Sequence, residues 1–168
     1  MLHCMSGLIE IEDAIPGVQI GDDLKNEYAV GIDFGTTHSI ICLIGPNGGQ
    51  FFGDKDGILI PSVIAIDKNN EYILVGHDAI RKIGNEDYAV IYSVKRLIAE
   101  GLEATENKVI GQNISIVLHE NQPKILVFGQ RYSVPDFVAY ILVYLKGIAE
   151  KELGVVLKKM RDYCACKI

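Results

Sequence analysis

Two apolar runs, YAVGIDF at 28–34 and SIICLIG at 39–45, are separated by only Gly35–His38. That short joint restricts the fold more than any other feature. The β-branched valines and isoleucines suit strands. Strands joined by four or five residues must lie antiparallel, since a parallel return needs a crossover of a dozen or more. A doubly wound parallel start is therefore excluded. The joint is also an odd hairpin. Tight hairpin turns favour Asn-Gly or Asp-Gly pairs, whereas here a strand ends in Asp33 and passes Gly35, Thr36, Thr37 and His38 before the next begins.

The rest of the chain continues the strand-rich pattern. PNGG at 46–49 and GDKDG at 53–57 read as turns, with QFFG as a third strand between them. ILIPSVIAI is a strand whose Pro61 predicts an edge or a bulge. KNN then leads into EYILVG, a hairpin. Two short helices are expected near 76–83 and 92–99. Beyond Gly101, NISIVLHE, PKILVFG and QRYSV alternate as strands. The best helix comes last. Ser133 is its N-cap, Pro135 and Asp136 suit its first turn, and Phe137, Ile141, Leu145 and Ile148 form one apolar face. Gly154 stops it. Strands first and a long helix after them predict an α/β or α+β arrangement with a mixed or antiparallel start.

Charge is unevenly placed. The chain of 168 residues carries a net −6, of which residues 1–27 hold −5, so the body is near neutral. An acidic leader on a neutral body argues against a nucleic-acid or anionic-membrane partner. No apolar run is long enough to span a bilayer, and MLHCMSGLIEIEDAIPG lacks the basic flank of a signal peptide. The expectation is a cytoplasmic protein with its cysteines reduced. Cys4, Cys42, Cys164 and Cys166 show no disulfide framework, and Cys164 and Cys166 form a C-x-C without a second pair.

Chemistry concentrates at 33–39. Glycine lets backbone approach a ligand closely, and successive N–H groups in a tight turn form an anion-binding concavity. Thr36, Thr37 and Ser39 add hydroxyl donors. Asp33 is suited to the water shell of Mg²⁺, which keeps several waters and takes few carboxylates. Such a set fits a metal–phosphate complex better than a bare phosphate. It is not the P-loop pattern, which needs a Gly-Lys before a helix. On spacing alone, a small-residue turn with an incidental acid explains it equally well. His3, His77 and His119 are scattered without ligand spacing, and Tyr140 and Tyr144 on the last helix read as packing.

GIDFGTTHSI resembles the first phosphate loop of the seventy-kilodalton heat-shock chaperones (DnaK-type), within the actin and sugar-kinase superfamily. LIPSVIAI resembles the strand after that family's first hairpin, and LVGHDAIRK its following strand–helix segment. SVKRLI resembles the segment bearing its catalytic lysine. The four segments are collinear and cover Tyr28 to about Leu153. GLIEIEDAIPG, ahead of the loop, resembles the N-terminal extension of the HscA-like iron–sulfur-cluster-assembly branch.

The resemblance implies an actin-like ATPase (ribonuclease H-like) fold, with only the first part of the nucleotide-binding domain present. It implies ATP or ADP with Mg²⁺, and admits K⁺ in the full-length parent. Asp33 would sit under the Mg²⁺ through water, and Gly35, Thr36 and Thr37 would cradle the β- and γ-phosphates. His38 stands where the family has Asn, and a neutral imidazole still donates one hydrogen bond. Lys95 would position the attacking water and stabilise charge on the transferring phosphoryl group. Without the family, Lys95 reads as a solvated surface lysine. The arginine that the family carries in the turn before its PSV segment is absent from DGILIP.

Three divisions follow: an acidic leader at 1–27, an incomplete first lobe at 28–157, and a tail at 158–168. The family continues past the long helix with a buried strand like AVITVPAYF, where this chain reads VVLKKMRDYCACKI. The codons for Asp162–Ile168, read from their second base, permit ITVPARF, so the tail is expected to be out-of-frame sequence. Two readings of function result. One is the N-terminal fragment of an ATP-dependent chaperone, incompetent alone, whose parent works with a J-domain co-chaperone on iron–sulfur scaffold or unfolded clients. The other is an inert or non-enzymatic interaction fragment of a frameshifted gene. A small sugar kinase is a third option, which the collinear segments disfavour.

Overall fold

The computed structural model describes residues 6–10, 29–45, 48–100, 111–120, 122–154, 156–157 and 159–162. In chain order the elements are β1 (Ser6–Glu10), β2 (Ala29–Asp33), β3 (His38–Gly45), β4 (Gly48–Phe52), β5 (Ile60–Pro61), β6 (Ile64–Asp67), β7 (Ile73–Val75), α1 (His77–Ile80), β8 (Tyr88–Ile91), α2 (Val94–Glu100), β9 (Gly111–Gln112), β10 (Ile114–His119), β11 (Gln122–Val127), β12 (Gln130–Tyr132), α3 (Val134–Leu153) and β13 (Lys159–Asp162). They divide into two compact units, one drawn from residues 1–34, 39–60 and 144–168, the other from 35–38 and 61–143. The class is mixed α and β with antiparallel sheets, as the short joint between the first apolar runs requires.

The first unit is a sheet in the order β13-β1-β2-β3-β4, with β5 beside β3. In β2 the two-residue period buries Val30 and Ile32 and leaves Asp33 exposed. Opposite it, β3 buries Ser39 and Ile41, and Phe52 closes the same core from β4. Of the expected PNGG turn, Pro46 and Asn47 lie outside the described residues. GDKDG is a turn: Asp54 Oδ1 accepts the N–H groups of Asp56 at 2.8 Å and Gly57 at 3.2 Å. The later turns of α3 bury Leu145 and Ala149 here. Tyr144 donates its hydroxyl to Asp54 Oδ2 at 3.2 Å, so this tyrosine ties helix to turn. Gly154, at φ 66°, ends the helix. Beyond it, Leu157 donates its N–H to Glu150 Oε1 at 2.7 Å. Burial opposes the charge on Glu150, but Lys146 and that N–H outweigh it and hold the carboxyl below its usual range.

Two strands here depart from the sequence reading. Ser6–Glu10, within the expected leader, pairs with β2 on one side and β13 on the other, Ser6 opposite Asp33 and Glu10 opposite Lys159. Main-chain pairing asks little of side chains, so a five-residue segment of mixed polarity joins a sheet without showing a period. The same holds for Lys159–Asp162, within the expected tail.

In the second unit, ILIPSVIAI is broken in two at its proline. Pro61 has no N–H to continue a ladder, so β5 ends there and β6 begins three residues on, in another sheet ordered β7-β6-β8-β9. All four residues of β6 are buried. Val63, Ala65, Ala79 and Val90 form one core cluster, with Leu74, Tyr88 and Tyr92 packed against it. The expected β6–β7 hairpin is present, Ile64 opposite Val75. Between the two expected helices lies β8, a strand the sequence reading passed over: Ala89, Val90 and Ile91 are wholly buried. A three-residue apolar run flanked by tyrosines has no alternation to announce it. Gln112 fastens the loop ahead of β8, donating from Nε2 to the carbonyls of Lys82, Asn85 and Tyr88 and accepting the Gly84 N–H.

β10, β11 and β12 form a separate three-stranded sheet, as NISIVLHE, PKILVFG and QRYSV predicted. Ser133 then caps α3. Asp136 reaches back so that its Oδ2 accepts both the N–H and the hydroxyl of Ser133, each at 2.7 Å, which is the backward half of a capping box. Phe137 and Ile141 are wholly buried as expected. The last position of that stripe is corrected: Ala149 is buried, while Ile148 is only partly covered.

Candidate functional site

The strand alternation that buries Val30 and Ile32 turns Asp33 outward at the end of β2. Phe34 is buried next to it, 1% exposed. Gly35–His38 then cross to β3. A Cβ on Gly35 would stand 2.1 Å from the carbonyl oxygen of His38, so glycine is required here by close backbone approach. Thr36 is half-buried, and Thr37 and His38 are exposed.

The second unit supplies the loop's support. Ser62, wholly buried between Pro61 and Val63, donates its Oγ–H to the Gly35 carbonyl at 2.9 Å. Its N–H donates to the Thr37 carbonyl, also at 2.9 Å. Two of the loop's carbonyls are thereby engaged. The amides of Gly35, Thr36 and Thr37 find no acceptor among the described residues. Amides without an acceptor among the described residues and threonine hydroxyls form a donor set suited to an anion.

Lys95 is the second residue of α2, half-buried, in the same compact unit as Gly35–His38. Asp33 belongs with the first sheet. His77 opens α1, and His119 ends β10, exposed. His3, Cys4, Cys164 and Cys166 lie outside the described residues. Cys42 is half-buried, and burial pushes its thiol up against a smaller opposing effect of the Gly31 backbone, which makes it a poor nucleophile. Ser62 was not singled out from the sequence. Its signal was a hydroxyl residue inside an apolar run, which must find a partner once buried.

The sequence model of the Hsp70 protein family matches residues 29–161, a span that takes in Asp33, the loop, Ser62 and Lys95. The chain belongs to the Hsp70 family. Similar curated proteins include the HscA chaperone homolog of Pasteurella multocida, 31% identical over 148 residues. That alignment covers 86% of this chain and 23% of the relative. The HscA homolog of Mannheimia succiniciproducens is 30% identical over 146 residues, with the same two coverages. The chaperone DnaK of Thermotoga petrophila is 31% identical over 142 residues, covering 83% of this chain and 20% of DnaK. The chain thus spans about a fifth to a quarter of the length of these relatives. Among the described residues, no helix is long and apolar enough to cross a membrane.

Proposed function

We propose that residues 28–157 are the N-terminal part, the first lobe, of an actin-like nucleotide-binding domain. The loop after β2 is its phosphate loop. The observation that carries this is the coincidence of the Hsp70 match with a glycine-dependent loop whose amides have no acceptor among the described residues. Gly35, Thr36, Thr37 and His38 would hold the terminal phosphates of ATP or ADP, and Asp33 would hold Mg²⁺ through water. Mg²⁺ supplies charge neutralisation at the phosphates. Lys95 would place a positive charge beside the transferring phosphoryl group. The parent activity is ATP hydrolysis coupled to client handling, with a J-domain partner and iron–sulfur scaffold or unfolded clients, in the cytoplasm. Residues 1–27 would precede this lobe; of the tail at 158–168, the Hsp70 match takes in 158–161, and the rest would be out-of-frame sequence. That last point fails if the gene's shifted frame does not continue the chaperone sequence.

For the purified chain we expect Mg-ATP binding in the millimolar range and negligible turnover. Isothermal titration of the purified chain tests this; micromolar affinity would overturn the expectation that it is incompetent alone. A second reading, a non-enzymatic interaction fragment, is favoured by large exposed apolar side chains. Phe51 is 56% exposed in the first unit and Leu118 75% in the second. Binding of an apolar dye together with oligomers on size exclusion would support it. A monomer that does not bind the dye would remove it.

A further inference from the structure

We propose that Ser62 is a positioning residue for the phosphate loop, setting the direction in which its amides point; this rests on the nucleotide reading above. An anion cradle needs N–H groups converging on the ligand and carbonyl oxygens turned away from it, because a carbonyl dipole repels phosphate. Across a trans peptide the C=O of one residue and the N–H of the next point in opposite directions. The Gly35 carbonyl accepts the Ser62 hydroxyl, so the Thr36 amide points away from Ser62. The Thr37 carbonyl accepts the Ser62 N–H, so the His38 amide also points away from it. One buried residue therefore orients two peptide planes of a four-residue loop.

The two bonds separate cleanly by substitution. The main-chain bond to Thr37 survives any side chain, whereas the bond to Gly35 belongs to the hydroxyl. A hydroxyl buried in an apolar run has to be hydrogen-bonded, and the Gly35 carbonyl is a partner that it finds in the loop. Pro61, with its fixed φ, leads the chain into this position. A Cβ on Gly35 would meet the His38 carbonyl oxygen, so the carbonyl that the hydroxyl bonds belongs to a residue that must be glycine.

The test uses the full chain, labelled for NMR, with Mg-ATP titrated to millimolar concentration as the probe. Ser62→Ala is expected to weaken the Mg-ATP response of the Thr36, Thr37 and His38 amides about five- to tenfold. It should also lower the backbone order parameters of Thr36 and Thr37 in the free protein. Ser62→Thr, which keeps the hydroxyl, should restore both. Ser62→Cys, close in size but a weak donor, should fall between and guards against a variant that fails to fold. A purely structural role would lower thermal stability in step with affinity across the three variants, without rescue by threonine, and would overturn the proposal. So would a folded Ser62→Ala chain that binds and moves like the parent. If the parent's loop amides do not respond to Mg-ATP at all, the nucleotide reading fails. The positioning role then stands or falls on the order parameters.

Discussion

Two strands in this protein end in an aspartate before a hairpin, β2 at Asp33 and β6 at Asp67. The two carboxylates are used in opposite ways. Asp67 is 7% exposed and its oxygens accept the N–H groups of Asn69 at 3.1 Å, Glu71 at 2.8 Å and Tyr72 at 2.5 Å. The turn closes on its own acid, with Asn70 held at φ 58°. Those amides, Tyr72's above all, outweigh burial and hold the Asp67 carboxyl below its usual range. Asp33 is exposed, and the amides that follow it have no acceptor among the described residues. Its loop is held instead from behind, by Ser62. A strand-ending acid that satisfies its own turn is structural. One whose following amides find no acceptor among the described residues is the one for which we propose a ligand.

The comparison is most severely strained at Gly35. Gly35→Ala places a Cβ 2.1 Å from the His38 carbonyl oxygen. It should lose the Mg-ATP response of the loop and destabilise the chain by about 2 kcal/mol or more, read by urea denaturation. A silent Gly35→Ala would mean the loop geometry is not required. The aspartates come next. Asp67→Asn should lower the denaturation midpoint clearly while leaving the Mg-ATP response in place. Its pH dependence has a definite sign. The folded-state pKa lies below the ordinary value of 3.8, so the stabilisation is fully present above that value and is lost as pH falls through the depressed one. Acid titration of the hairpin amides of Asn69, Glu71 and Tyr72 measures this; amides that do not respond to acid would contradict it.

Asp33→Asn should behave inversely. We expect stability within about 0.5 kcal/mol of the parent and loss of the Mg²⁺ dependence of nucleotide binding. If it is instead the more destabilising of the two, the contrast collapses. The last contrast is a third acid, Asp136, which like Asp67 is used internally. Asp136→Ala should remove the capping interactions with Ser133 and cost about 1 kcal/mol, with no change in the response to Mg-ATP.

Legibility followed locality. The antiparallel start, the β6–β7 hairpin, the strands after Gly111 and the capped helix were all readable, because each is set by neighbours within a few residues. Ser133 and Asp136 meet three residues apart. The proposal of an anion site at the loop rests on glycine and hydroxyl residues that cluster within it. Features that depend on distant partners were not. β8 is a short buried run whose identity comes from pairing with β6 and β9. β1 comes from pairing with β2 and β13. Ile148 had the hydrophobicity for the helix stripe, yet Ala149 holds the buried position, because the surrounding elements decide which side of a late turn is covered.

Local chemistry was enough to determine that the first strands are antiparallel. It also carried the family resemblance, since those motifs lie in short contiguous segments. Which carboxylate would be consumed by its own turn, and which left exposed, was settled only by tertiary structure. So was the pairing of Ser62 with a loop 27 residues earlier in the chain. The physical reason is common to both. A polar group's role is fixed by whether burial forces it to take a partner, and burial is a property of the packed chain rather than of any segment.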